Sequence, residues 1–166
     1  MVISKREGYT KGFIMGSRRK GRELVLTLLY RTEFSDDKNI KRAIGNIIKL
    51  DPTGLDTEQT ESNIADFAED LFRGILGNRE ILDKLLEKYL ENWEINRVAV
   101  IDKSIMKMAM YEILFRDDIP DVVSIDEAVE LAKKYSTENS GGFVNGILDR
   151  IRKDKKKILK SINEQK

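Results

Sequence analysis

The chain contains no cysteine and no histidine. Their absence removes disulfides, zinc centres with Cys or His ligands, thiol nucleophiles and every imidazole acid–base. A chain without cysteine also fits the reducing cytoplasm, the expected location. Proline occurs only twice, at Pro52 and Pro120. Strand-like alternation of apolar and polar residues is nearly absent. No apolar run approaches the roughly eighteen residues needed to cross a bilayer, so no membrane partner is expected. The N-terminus has neither the apolar stretch nor the small-residue cleavage site of a secretory signal.

Charge and helical periodicity are what the chain has in abundance. Of its 166 residues, 40% are hydrophobic and 36% are charged. The first figure is sufficient for a core; the second exceeds the usual quarter or so. The length suits one domain, or two small helical subdomains that share a core. The net charge of +1 hides a segregation. Residues 1–22 carry seven cations against Glu7, a net of +6. Residues 150–166 carry eight cations against Asp154 and Glu164, again +6. The body between them, 23–149, therefore carries −11. Two basic ends suit a polyanion such as nucleic acid, and an acidic body suits a basic protein. Charge alone leaves open the alternative that the ends are solvated tails.

Apolar residues recur at helical spacing throughout, which predicts an all-α fold of about seven helices. Residues 1–16 read as a leader, because Gly8, Gly12 and Gly16 fall four apart with no Gly-Lys-Ser/Thr to make a phosphate loop. Ser17 is a cap candidate for a first helix to about Phe34. Gly21, Leu24, Val25 and Leu28 share its core face, with Leu29 at the edge. Arg19, Arg22, Leu26 and Tyr30 fall on another strip, near the opposite side. Guanidinium groups meet phosphates, and an aromatic ring stacks an unpaired base, so this strip is suited to RNA. The competing reading packs Tyr30 between helices and leaves the arginines merely solvated. Cations in a first helical turn oppose the macrodipole by a few tenths of a kcal/mol each. Four basic residues there are not a stability choice.

A second helix is predicted from about Asp37 to Leu50, followed by turn chemistry at Asp51-Pro52-Thr53-Gly54. Asp56 or Thr57 would cap a third, to about Leu76, burying Ile64, Phe67, Ala68, Leu71 and Phe72. Gly74, Gly77 and Asn78 weaken or bend its end, and the pattern resumes from Arg79 to Leu90. The stretch 92–96, with Trp93 as a large apolar anchor, is the expected division between subdomains 17–92 and 93–152. The helix from about Val98 to Phe115 is apolar on several faces and so central, its methionines filling core. Ser124-Ile125-Asp126-Glu127 matches a capping box that opens a helix to about Tyr135. Ser136 to Gly142 reads as a polar loop. A last helix packs Phe143, Val144, Ile147, Leu148 and Ile151, then turns lysine-rich over 153–166.

No dinucleotide, P-loop, nucleophile-elbow or EF-hand pattern occurs. The carboxylate pairs Asp117/Asp118 and Asp126/Glu127 suit a divalent metal or acid–base work on paper. Both sit where turn and cap chemistry already explains them. The chain is expected not to be an enzyme and to need no cofactor or metal.

The order and spacing of several segments resemble the NusB family. They are Tyr111-Glu112, Asp118-Ile119-Pro120, the helix Ile125 to Lys133 and Phe143-Val144-Asn145-Gly146, all within 97–151. Residues 18–30, RRKGRELVLTLLY, look like that family's arginine-rich first helix. The resemblance implies two packed helical bundles and a binding role in transcription antitermination. The family recognises the boxA element of nascent ribosomal RNA leaders together with NusE, a small-subunit ribosomal protein, on elongating RNA polymerase. By position, Arg18, Arg19, Lys20 and Arg22 would meet RNA, Tyr30 would close that face and Phe143 would extend it. Glu112, Asp117 and Asp118 would face NusE. Some members form homodimers and others are monomers. Departures are Gly21 for a frequent Ala, Asp126 for Asn, Asn139 for Asp and Gly142 for Lys. The alternative function is a helical protein–protein interaction module with a dispensable RNA face.

Overall fold

Helical spacing in the sequence becomes helix in the computed structural model, and among the described residues there is no strand. The structure describes residues 3–33, 39, 42–46, 58–93 and 95–166, with side chains over 16–33, 39, 42–46, 62–93 and 96–166. The helices are α1 (Ile3–Thr32), α2 (Glu58–Gly77), α3 (Arg79–Tyr89), α4 (Val100–Phe115), α5 (Asp121–Tyr135), α6 (Ser140–Lys153) and α7 (Lys155–Glu164), with a 3-10 turn at Ile95–Arg97 before α4. The all-α expectation holds. Most of the second predicted helix, the Asp51–Gly54 turn and the caps at Asp56 or Thr57 lie outside the described residues. Within that region 42–46 are helical, and the Arg42 amide donates to Asn39 Oδ1 at 3.1 Å, a side-chain cap.

The chain divides into two compact units, Met1–Arg73 and Gly74–Lys166. The sequence reading placed the division near 92; the structural one falls inside α2. In the first unit, α1 begins at Ile3, not at Ser17, so the glycine-spaced leader is part of the helix. Its core face is as read: Leu24, Val25, Leu28 and Leu29 are buried. Leu26, assigned to the outer strip, is buried too. From α2 come Ile64, Ala68, Leu71 and Phe72.

In the second unit, α4 is the central element and touches α3, α5, α6 and α7. Ile105, Met106, Met108, Met110 and Ile113 are fully enclosed, so the methionines do fill core. A side chain at Gly74 would collide with the Tyr111 hydroxyl, so the glycine is where a ring meets the helix. The end of α2 is closed by Asn78, whose side-chain amide donates to the Gly74 carbonyl at 2.8 Å.

The capping-box reading of Ser124 is corrected. Helix α5 already starts at Asp121, with Pro120 at the N-cap and φ of −59°. Proline presets the entry dihedral and has no amide to satisfy, and Asp121 complements the positive helix end. Ser124 is therefore inside the helix, only 1% exposed, and its Oγ has no hydrogen-bond partner. Trp93, read as an anchor, is 53% exposed. The lysine-rich end forms α7, which docks through buried Ile158. Two polar clamps hold it: Tyr89 donates to Asp154 Oδ2 at 2.7 Å, and Lys155 meets Asp121 at 3.0 Å.

Candidate nucleic-acid interface

The cationic turn of α1 is split between two environments. Gly21 leaves room on the helix flank, and the Phe67 ring of α2 fills it; a Cβ at Gly21 would lie 2.5 Å from Phe67 Cδ1. Arg18 and Arg22, one turn apart, place their guanidinium carbons 5.4 and 5.6 Å from the centroid of that ring. Such contacts contribute about 0.5–1 kcal/mol at exposed sites and more when dry. Arg19 is exposed, Lys20 is half-buried and reaches Glu23 at 3.9 Å, and Tyr30 is 45% exposed.

The outer strip is thus Arg19, Lys20 and Tyr30, with Arg18 at its margin. Arg22 does not belong to it: the residue is 3% exposed. A helical wheel carries no information about Phe67, and it is Phe67 that claims this flank. Glu112 is also misplaced by the sequence reading. It is 1% exposed, inside α4, and presents no carboxylate to a partner. Asp117 and Asp118 are exposed, and Asp118 is forked by Arg116 Nε at 2.9 Å and Nη2 at 3.1 Å. Asp126 is exposed and Glu127 buried, and among the described residues no cluster of acidic groups could hold a metal ion.

Phe143 stands at the start of α6 in the second unit, half-buried, and meets Trp93 edge-on with centroids 4.8 Å apart. The two rings open onto a cavity of about 480 Å³ whose other walls include Asn92, Arg97, Asp102 and Ser140. Asp102 is buried. Its Oδ2 accepts from Ser140 Oγ at 2.9 Å, while Oδ1 has no hydrogen-bond partner. Ser136 and Thr137 hydroxyls, each 2.9 Å from Ser140 Oγ, complete the cluster. The sequence points to neither Arg97 nor Asp102, and to Trp93 only as a structural anchor. An apolar Trp in a polar connection and a lone Asp on an apolar helix were the available signals.

The NusB family model matches residues 19–153. The chain belongs to the NusB family. Among curated relatives, the transcription antitermination protein NusB of Thermodesulfovibrio yellowstonii is 44% identical over 140 residues, 82% of this chain and 92% of that protein. The one from Geobacter sulfurreducens is 45% identical over 138 residues, 82% and 94% of the two chains. Among solved structures, NusB of T. maritima aligns with a TM-score of 0.67 at 41% identity, over 82% of this chain and 91% of that one. The matched segment takes in Arg19, Lys20, Arg22, Tyr30 and Phe143, and ends where α7 begins. No helix of the described residues is long and apolar enough to cross a membrane.

Proposed function

We propose that this protein is a cytoplasmic RNA-binding antitermination factor that binds boxA of nascent ribosomal RNA leaders together with NusE. It keeps the leader tethered to elongating RNA polymerase. The observation that carries this reading is the outer strip of α1. Arg19 and Tyr30 are exposed there, Lys20 lies beside them, and Arg18 is braced on Phe67 at the margin. Braced guanidinium and an exposed phenol ring combine phosphate contact with base stacking, the chemistry of single-stranded RNA recognition. Arg22 acts from beneath, by holding Phe67. Phe143, with Trp93, offers a second stacking surface.

The exposed carboxylates Asp117 and Asp118 supply the acidic surface for a basic partner such as NusE. Membership of the family supports the RNA and transcription-complex partners in general. A homodimer is a further state to test by light scattering.

A salt titration with boxA RNA, alone and with NusE, tests the proposal. Affinity should fall steeply with salt, as counterion release requires. Arg19→Ala with Tyr30→Ala should weaken binding at least tenfold and flatten the slope. Equal, weak binding by wild type and variant would leave a protein-interaction module.

A further inference from the structure

Most of the second basic end, from Asp154 on, lies past the matched family segment, which takes in Arg150, Arg152 and Lys153. Its cations are also ordered. Lys153 ends α6, and Lys156, Lys157 and Lys160 follow on α7, all four exposed or at the surface. The spacing 153, 156, 157, 160 puts them on one stripe of a helical ladder that continues across the junction. The Asp154 amide donates to the Arg150 carbonyl at 3.1 Å, and the Ile158 amide to the Asp154 carbonyl at 2.9 Å. Lys153 meets Asp149 at 2.8 Å and Lys160 meets Glu164 at 3.9 Å. The first turn of α7 holds Lys155, Lys156 and Lys157 and no acid. Only Lys155 is used for docking, against Asp121.

A path connects this stripe to the aromatic pair. Along α6, Phe143, Gly146 and Arg150 recur on one face, Arg150 about 10 Å of rise beyond Phe143. Gly146 and Arg150 are exposed, and nothing lies within 4 Å of where a Gly146 side chain would stand. Arg150 is stacked 5.4 Å from the Tyr89 ring centroid. Beside it a groove of about 540 Å³ is rimmed by Lys88, Arg150 and Lys157, with Glu80, Glu91 and Asp154 as its acids. Glu80 is engaged by Lys84 at 2.7 Å and Asp154 by the Tyr89 hydroxyl.

The chemistry of the stripe selects its partner. Lysines are hydrated point charges that contact phosphate without fixing register, and they are depleted at protein interfaces. None of the exposed large apolar side chains lies on α7, so there is no anchor for a protein and no wedge for a lipid surface. We propose that the lysine stripe of α6 and α7 is a sequence-indifferent RNA-backbone site, holding unpaired RNA that runs on from the Phe143 platform. This rests on the RNA-binding reading above, and its α7 lysines lie past the matched family segment.

The test compares the intact protein with Lys156→Gln/Lys157→Gln/Lys160→Gln, which leaves every docking contact of α7 in place. Two probes are used, a boxA RNA of about 12 nucleotides, on the order of one single-strand site, and the same RNA with an unpaired flank bringing it to about 30. The triple variant should lose about tenfold in affinity for the long RNA only. Its log–log salt slope for that RNA should fall by about 2, at roughly 0.7 per phosphate contact. Unchanged binding of the long RNA, or equal loss on both RNAs, would overturn the flanking site. So would loss of binding to phosphatidylserine vesicles with RNA binding intact. An Arg19→Ala/Tyr30→Ala variant run alongside separates the two readings. If it keeps wild-type binding while the lysine variant fails on the long RNA, the α7 site stands and the α1 reading falls. If wild type binds neither RNA in a salt-dependent way, both fall.

Discussion

The two ends of the chain carry the same net charge, +6, and are built on opposite plans. At α1 the cations are chiefly arginines, and two of them share one aromatic ring, with Arg22 buried by it. At α7 they are lysines on a surface stripe, and the helix is docked by other residues, Ile158, Lys155 and Asp154. Equal charge therefore hides different coupling to the fold. Arginine charge at α1 is part of the packing; the stripe lysines of α7 are laid over packing held by Ile158, Lys155 and Asp154.

The largest expected break in this comparison comes from Arg22→Glu. It places a carboxylate, without the cation–π contact, in a buried site, and should cost about 3 kcal/mol or more in urea unfolding. Lys157→Glu, on the exposed stripe, should stay within about 0.5 kcal/mol. Next is Gly21→Ala. Helix propensity gains about 1 kcal/mol, but the Phe67 ring must move, and overpacking of about 1–3 kcal/mol should outweigh it. A raised thermal midpoint would show that the ring yields freely. Phe67→Leu sharpens the comparison further. It keeps apolar bulk but removes the ring face, so stability should fall by about 1 kcal/mol. RNA affinity should drop several-fold because Arg18 loses its brace.

The smallest effect is acidification. Hydrogen bonds from Lys153 and Arg152 hold the Asp149 carboxyl below its ordinary range, and Lys84 does the same for Glu80. Depressed carboxylates contribute stability above their unfolded range and lose it as pH falls through their folded values. Both sit at the surface, so Asp149→Asn should barely move the acid unfolding midpoint.

The second unit was largely legible. Periodicity placed α4, the buried methionines and the apolar face of α6 because those helices bury continuous stripes. What escaped depends on neighbours remote in sequence. Arg22 is inside because Phe67 lies some forty-five residues on, and the local hint is the small residue at Gly21. Ser124-x-x-Glu127 has the letters of a capping box, but Pro120 starts the helix four residues earlier and leaves the serine in the interior. The size of Trp93 suggests an anchor, but the ring sits at the surface against Phe143. Of the candidate site, Arg18, Arg19, Lys20 and Tyr30 were readable from composition and spacing, whereas the Trp93–Asp102 cavity needs the α4–α6 junction to exist.

The junction at Asp154 has a consequence for anyone shortening this protein to family length. Cutting after Lys153 would strip the Tyr89 phenol of its acceptor, leave the Asp121 carboxylate without its ammonium and bare the hydrophobic seat of Ile158. The trimmed molecule should be stickier and less stable than its length suggests, so the segment after Lys153 works as a plug as well as an arm.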